Sequence, residues 1–308
     1  MTDKPKIVVV GSSNTDMVVK TEHIPALGET VIGGDFVVAA GGKGANQAVA
    51  AARLGADVTF VARVGKDVFG DQSVENLKRE GIRTDYIVRD GDAPSGVALI
   101  FVDERGENSI VVAPGSNARL TAADVERAAE RIRAADAVVM QLEIPIQAVA
   151  KAAEIAHTAG ARVILNPAPA RDVPKQVLAN VDVLIPNESE AARLAGVHDS
   201  NIHDAESLGR KLLDMGVRSV VITLGSKGGL LIDGSGVETF SAPRVQAVDT
   251  TAAGDAFTGA LACVLAEGNP ARDAVRFAAQ AAAISVTRMG AQPSLATRNE
   301  VEAALRSA

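Results

Sequence analysis

The chemistry of this chain gathers where very small residues meet a carboxylate. Ala247-Val-Asp-Thr-Thr-Ala-Ala-Gly-Asp-Ala-Phe257 reads as a tight turn running straight into a helix. Val248 closes an extended segment, and Asp249, Thr250 and Thr251 supply local side-chain hydrogen bonds. Ala252, Ala253 and Gly254 carry almost no side chain, so their N–H groups can approach a ligand closely. Free N–H groups at a helix start, added to the helix dipole, form an anion site. Asp255 follows them and is placed to take a proton from a hydroxyl attacking a bound phosphate. The same carboxylate at a helix start also suits a plain cap, and the turn alone does not choose between the two.

A second cluster repeats the theme. Gly41-Gly-Lys-Gly-Ala-Asn46 precedes a helical run from Gln47 to Leu54, and three glycines in four positions let backbone approach a ligand while Lys43 and Asn46 offer donors. A hydrated turn is the plainer reading. Polar residues also fall at the carboxyl ends of apolar runs, where open α/β sheets bind ligands. Asn14 and Asp16 follow Ile7–Val10, and Glu143 follows Ala137–Leu142. An Asx turn and a helix cap account for these equally well. Asn187 with Glu190 has capping-box spacing, compatible with capping and with facing a ligand. Gly225-Ser-Lys-Gly-Gly229 is either a hairpin turn into Leu230–Asp233 or a second phosphate-proximal loop.

These groups need a scaffold of alternating strands and helices. Strands are expected at 7–10, 58–64, 137–142, 162–165, 181–185 and 219–224, with two further short strands before Asp249. Helices are expected at 67–80, 121–133, 146–159, 204–215, 256–267, 270–286 and from 297 to the end. This βα rhythm predicts an α/β fold with a mostly parallel central sheet and helices on both faces. Between Met17 and Ala39 the texture changes to short alternating runs (17–20, 30–32 and 35–39), and it does so again at 96–102 and 108–112 around Asp103-Glu-Arg-Gly-Glu107. The two patches predict one small β-sheet lid assembled from about 14–40 and 96–112, with one exposed apolar face. The whole chain, 1–308, is expected to be one domain.

Composition sets the boundaries. The chain has 308 residues, 47% hydrophobic and 22% charged, which is ordinary for a globular protein. The net charge of −7 is spread without long basic or acidic blocks, which argues against nucleic acid or an anionic membrane as partner. The one cysteine, Cys263, lies in an apolar helical run, rules out an intramolecular disulfide and fits a reducing cytoplasm. Ile7–Val10 is too short for a signal peptide, and no apolar run approaches a membrane span. His23, His157, His198 and His203 show no zinc spacing and read as surface or turn residues. No GxGxxG fingerprint, Walker A sequence or Gly-x-Ser-x-Gly elbow is present.

Taken together, the segments resemble the PfkB-type carbohydrate kinase family nearly end to end. They are Gly41-Gly-Lys-Gly-Ala-Asn-Gln47, Met140-Gln-Leu-Glu143, Asn166-Pro-Ala-Pro-Ala-Arg171, Pro186-Asn-Glu188 with Glu190, Ile222-Thr-Leu-Gly-Ser226, Val245-Gln-Ala-Val-Asp-Thr250, Ala252-Ala-Gly-Asp255 and Gly290-Ala-Gln-Pro-Ser294. The Gly-Gly loop and the Ala-Gly-Asp turn are the family's two signatures. The Asn166 segment and the Gly290 segment point to its ribokinase branch.

The resemblance implies ATP-dependent phosphorylation of the 5-hydroxyl of D-ribose. It places Asn14, Asp16, Gly42, Lys43, Asn46 and Glu143 on the sugar, and Asp255 as general base. The amides of the Ala252–Gly254 turn would stabilise the transferring phosphoryl group. Thr223, Gly225, Ser226 and Gly228 would line the nucleotide site, with Asn187 and Glu190 acting around Mg²⁺ and the phosphates. A K⁺-type site would form from Asp249, Thr251, Ser285, Arg288, Gly290 and Ser294, mainly through carbonyls. The lid would close on ribose and pair with a second subunit's lid as a homodimer. Rival expectations are a sibling kinase for deoxyribose, fructose or adenosine, and a non-catalytic sensor on the same fold.

Overall fold

The computed structural model describes residues 4–197 and 204–307, so His198 and His203 lie outside the described residues. The chain begins with β1 (Lys6–Val10), β2 (Asn14–Lys20), β3 (Phe36–Gly41), α1 (Lys43–Arg53), β4 (Asp57–Gly65), α2 (Val68–Arg79) and β5 (Arg83–Asp90). It continues with β6 (Gly96–Val102), β7 (Asn108–Ala113), α3 (Ala122–Glu126), α4 (Ala129–Arg133), β8 (Ala137–Met140), α5 (Ile146–Ala159), β9 (Arg162–Leu165), α6 (Lys175–Leu178) and β10 (Val183–Leu184). It ends with α7 (Glu188–Leu194), α8 (Ala205–Asp214), β11 (Ser219–Thr223), β12 (Gly229–Asp233), β13 (Gly236–Phe240), α9 (Ala253–Ala266), α10 (Ala271–Ser285) and α11 (Arg298–Ser307).

Nine strands among the described residues form the central sheet, in the order β13-β12-β11-β10-β9-β8-β1-β4-β5. The run from β11 to β5 is parallel, and the β12–β13 hairpin adds an antiparallel edge. β1 sits inside the sheet and is buried on both faces, so its apolar run is continuous rather than alternating. Ile7 and Val9 point to one core with α1, α9 and α10, while Val8 and Val10 point to the other with α5 and α8. After β1 the chain builds outward through β4 and β5, then returns to β8 and builds the other way. The order therefore reverses between β1 and β8, and a crevice at their carboxyl ends is where such sheets bind ligands.

The second sheet, β3-β2-β6-β7, is built from the two predicted patches. The expected single exposed apolar face needs correcting, because both faces carry exposed apolar side chains. Val38, Leu99 and Val111 share one face, in register through Met17, and Val37, Ile110 and Val112 lie on the other. Thr15 and Ala98 at the base of the sheet are buried, and the exposed apolar side chains lie farther along the strands.

Several elements differ from expectation. β5 is an edge strand whose charged residues Arg83, Asp85, Arg89 and Asp90 hide its periodicity. The helix expected over 121–133 is divided into α3 and α4, though Val125, Ala129 and Ile132 still face the core. Residues 30–32 lie in irregular chain, as does Val248, and the expected strand 181–185 shortens to Val183–Leu184. Helices α1 and α9 start at Lys43 and Ala253, earlier than their apolar runs, because the small residues before each run are already helical. Cys263 is buried as expected, and burial pushes its thiol up to about 12. Among the described residues, no helix is long and apolar enough to cross a membrane.

Candidate active site

Ser12, in the turn after β1, donates from its hydroxyl to Glu143 at 2.5 Å, and the Lys43 backbone N–H donates to the same oxygen at 3.0 Å. Glu143 thus ties the end of β8 to the start of α1. The approach is close enough to require glycine. A Cβ on Gly44 would meet the Ser12 nitrogen at 2.5 Å, and one on Gly41 would meet the Asp16 carboxylate at 2.1 Å. Gly42 is left-handed at φ 90° and packs against the Asn14 nitrogen, so these glycines let α1 sit directly on the strand ends.

Asn14 opens β2 of the smaller sheet. Its side-chain oxygen accepts a 2.7 Å bond from Asn117, which also clamps the Ser13 backbone with both ends of its amide. Asp16 lies two residues on. Burial pushes its carboxyl up to about 6, Glu143 and Asp255 push the same way, and Lys43 opposes them.

Asp255 is buried on the first turn of α9. Asn46 Nδ2 donates to Oδ2 and Gln47 Nε2 donates to Oδ1, each at 2.9 Å. Burial raises its carboxyl above the usual range, against the pull of Lys43 and both amides, with Glu143 adding to the rise. Such a carboxylate is poised as a base nearer neutrality than an exposed one. Burial also disfavours the Lys43 ammonium, but Asp255, Glu143, Glu190 and Asp16 outweigh it, and the net shift is upward. One cation among four carboxylates leaves the site strongly negative.

A cleft of about 240 Å³ opens beside Asp255, lined by residues that include Lys43, Asn166, Asn187, Glu190, Thr223, Thr250 and the Ala252–Asp255 turn. Asn187 and Glu190 do form a capping box, with reciprocal bonds of 2.8 and 2.9 Å, and both still reach the cleft. Burial raises the Glu190 carboxyl, while its bond from the Asn187 N–H and the Lys43 charge oppose the rise. A Cβ on Gly254 would meet nothing within 4 Å, so the helix terminus faces open space. Ala253 N–H is partly engaged, donating to the Thr250 carbonyl at 3.2 Å. Ala252 enters α9 in the left-handed region at φ 61°, the only such non-glycine among the described residues.

Gly225, Ser226 and Gly228 sit on the turn after Thr223, outside the residues lining the cleft. Gly228 has a packing reason of its own, since its Cβ would strike the Phe240 carbonyl at 2.0 Å. Near the cleft, Asp249 accepts from the Thr251 and Gly290 N–H groups, each at 2.8 Å, which holds the Gly290 loop against the turn. Ser285 and Ser294 are buried and donate to local carbonyls, and Arg288 pairs with Glu300. Among the described residues no cluster of three His, Cys, Asp or Glu could grip a metal.

The sequence reading gave no role to Ser12, Gln47, Asn117, Gln141 or Asn166. Gln47, Gln141 and Asn166 stand inside the segments that carry the family resemblance. Asn117 stands in none, and only the tertiary fold brings it to Asn14.

The pfkB family carbohydrate kinase profile matches residues 4–298. Ribokinase of Schizosaccharomyces pombe is 43% identical over 306 residues, covering 96% of each chain. Deoxyribokinase of Salmonella typhi is 38% identical over 298 residues, covering 96% of this chain and 97% of its own. The solved structure of Arabidopsis thaliana ribokinase complexed with ribose and ATP is 35% identical, with a TM-score of 0.90 and 99% of each chain covered.

Proposed function

This chain belongs to the pfkB family of carbohydrate kinases, and we propose that it phosphorylates D-ribose at its 5-hydroxyl with ATP. The observation that carries this reading is Asp255, buried and doubly hydrogen-bonded, beside a helix terminus open to the cleft. Asp255 takes the proton of the attacking hydroxyl. The N–H groups at the start of α9, Gly254 foremost, receive the charge that develops on the transferring phosphoryl group.

Asn14, Asp16, Gly42, Asn46 and Glu143 form the sugar side, because they gather at the carboxyl ends of β1 and β8 around α1. Asn46 Oδ1 is buried without a partner, a ready acceptor for a sugar hydroxyl. Lys43 stands between the sugar side and the phosphate cleft. The nucleotide enters over Thr223 and the Gly225–Gly228 turn.

The negative site needs added cations before it can hold a polyphosphate. Oxygen donors on Asn187 and Glu190 suit Mg²⁺ held through water and phosphate oxygens, which is how that ion is often bound. When bound, it neutralises charge on the phosphates. The engaged side chains of Ser285, Arg288 and Ser294 leave carbonyls of the Asp249–Ser294 region as the donors for K⁺.

We take the whole chain, 1–308, as one domain with a lid over about 14–40 and 96–112. The face bearing Asp16 closes on the sugar, and the face bearing Val38, Leu99 and Val111 meets a second copy to make a homodimer. A cytoplasmic setting fits the lone buried thiol.

The test is ADP release with ATP, Mg²⁺ and K⁺, comparing ribose, deoxyribose, fructose and adenosine. Ribose-preferring turnover that falls when a large organic cation replaces K⁺ supports the reading. Preference for deoxyribose, the sugar in the name of the Salmonella typhi relative, keeps the mechanism and changes the substrate. Ribose binding without turnover on any of them points to a sensor.

A further inference from the structure

A buried chain of side-chain amides runs behind Asp255. Gln141, immediately after β8, donates from Nε2 to Gln47 Oε1 at 2.6 Å. Gln47, in the second turn of α1, donates from its own Nε2 to Asp255 Oδ1 at 2.9 Å and to Asn166 Oδ1 at 3.1 Å. Asn166 donates from Nδ2 to the Ile185 carbonyl at 2.8 Å. Gln47 and Gln141 are both 0% exposed, so neither can touch a ligand in the cleft.

A side-chain amide can turn over, exchanging its oxygen for its NH₂ group. In this chain no amide turns over without upsetting the next. The Ile185 carbonyl only accepts, so Asn166 must give it NH₂ and show Gln47 an oxygen. Gln47 must then answer with NH₂, which also faces Asp255. Its oxygen is left for Gln141. One main-chain carbonyl thus fixes the polarity of three side chains.

We propose that Gln47 is a positioning residue for Asp255, and that Asn166 and Gln141 lock its amide so that a donor always faces the base. This rests on the reading of Asp255 as general base. Gln47 holds one carboxylate oxygen while Asn46 holds the other, which fixes the plane of the carboxylate. The charged groups around Asp255 are Lys43 from α1, Glu143 after β8, Asp16 from β2 and Glu190 from α7. Against three negative neighbours and one positive, the amide donors help keep Asp255 ionised.

Two variants test this. Gln47→Met keeps length and removes the donor. Gln141→Glu sets a carboxylate against Gln47 Oε1, so Gln47 must turn over and present its oxygen to Asp255. Sugar-dependent ADP formation is measured across pH, ribose affinity by calorimetry, and thermal unfolding on each protein. For Gln47→Met we expect kcat to fall roughly 100-fold and ribose affinity to stay within about twofold, since Gln47 lies outside the cleft. The acidic limb of the kcat profile should move up by roughly one pH unit.

Gln141→Glu should show the same limb shift. If it does not fold, Gln141→Met removes the lock without adding charge and should shift the limb in the same direction by less. A loss of kcat equal at all pH values, or an unchanged kcat, overturns the proposal.

Wild-type protein with no sugar-dependent turnover would sink the functional reading instead. The amide chain would then be judged by unfolding alone. Loss of the donor raises the Asp255 carboxyl further, so Gln47→Met should lose more thermal stability than wild type as pH rises above the ordinary carboxylate range. An unchanged loss overturns it.

Discussion

Helices α7 and α9 present their N-termini to the same cleft and treat their free N–H groups in opposite ways. On α7, Asn187 and Glu190 cap each other reciprocally, at 2.8 and 2.9 Å. On α9 there is no side-chain cap, and the residue entering the helix is a left-handed alanine. The capped terminus has engaged the Asn187 and Glu190 N–H groups internally, so these two are not offered to a ligand. The bare terminus keeps donors for an anion and places a carboxylate beside them. Within one cleft, capping separates a wall that shapes the site from a wall that, in the proposed mechanism, carries the chemistry.

The largest effect expected from this difference lies on α9. Asp255→Asn keeps the shape of the side chain but cannot accept a proton at neutral pH. Turnover should fall by roughly 10²- to 10⁴-fold, with ribose affinity by calorimetry close to wild type. Near-normal turnover would break the comparison at its centre, because the bare terminus would then have no base to serve.

The second test moves to the proposed sugar side, across Lys43 from that terminus. Asp16→Ala should weaken ribose affinity by roughly ten- to 100-fold, the loss of a hydrogen bond to a charged group, and lower kcat much less. Asp16 also gives a pH signature. Its folded-state pKa is raised from 3.8 to about 6, chiefly by burial. The stabilisation from protonating it is complete below the unfolded value and is lost as pH rises through the folded one. Asp16→Asn removes that loss, so Tm without ligand should rise more above pH 6 than near pH 4. Equal shifts at both would show that burial does not govern Asp16.

The chain showed the bare terminus more readily than the network behind it. Ala252, Ala253 and Gly254 stand beside Asp255 in sequence, and adjacency is what a linear reading sees. The sheet was legible for a similar reason, because strands buried on both faces are continuous apolar runs. β5 was missed since an edge strand can carry charge on its open side. The Gln141–Gln47–Asp255 chain was not legible, because its members come from the turn after β8, from α1 and from α9, and meet only through tertiary packing. Gly259 shows what that packing demands. A Cβ there would meet the Ala50 Cβ at 2.6 Å and the Gln47 carbonyl at 2.8 Å, so its absence lets α9 lie against α1. Gly259→Ala gains up to about 1 kcal/mol of helix propensity, but the backbone contact should outweigh it, giving a lower Tm and a lower kcat together. A raised Tm with intact kcat would show that the two helices part without disturbing the base.

The smaller effects compare the two caps directly. Asn187→Ala removes a working N-cap and should lower stability by about 1 kcal/mol, read as a reduced Tm. Ala252→Gly should act in the opposite sense. A left-handed alanine costs roughly 1–2 kcal/mol, which glycine avoids, while glycine's extra freedom in the unfolded chain takes back part of the gain. The net result should be stabilisation of less than about 1 kcal/mol. A rise in Tm for Ala252→Gly beside a fall for Asn187→Ala would show that the α9 terminus carries strain while the α7 terminus is relaxed. A fall in both would mean that the Ala252 methyl makes packing contacts worth more than the strain. The bare terminus would then be built for stability as much as for anion binding.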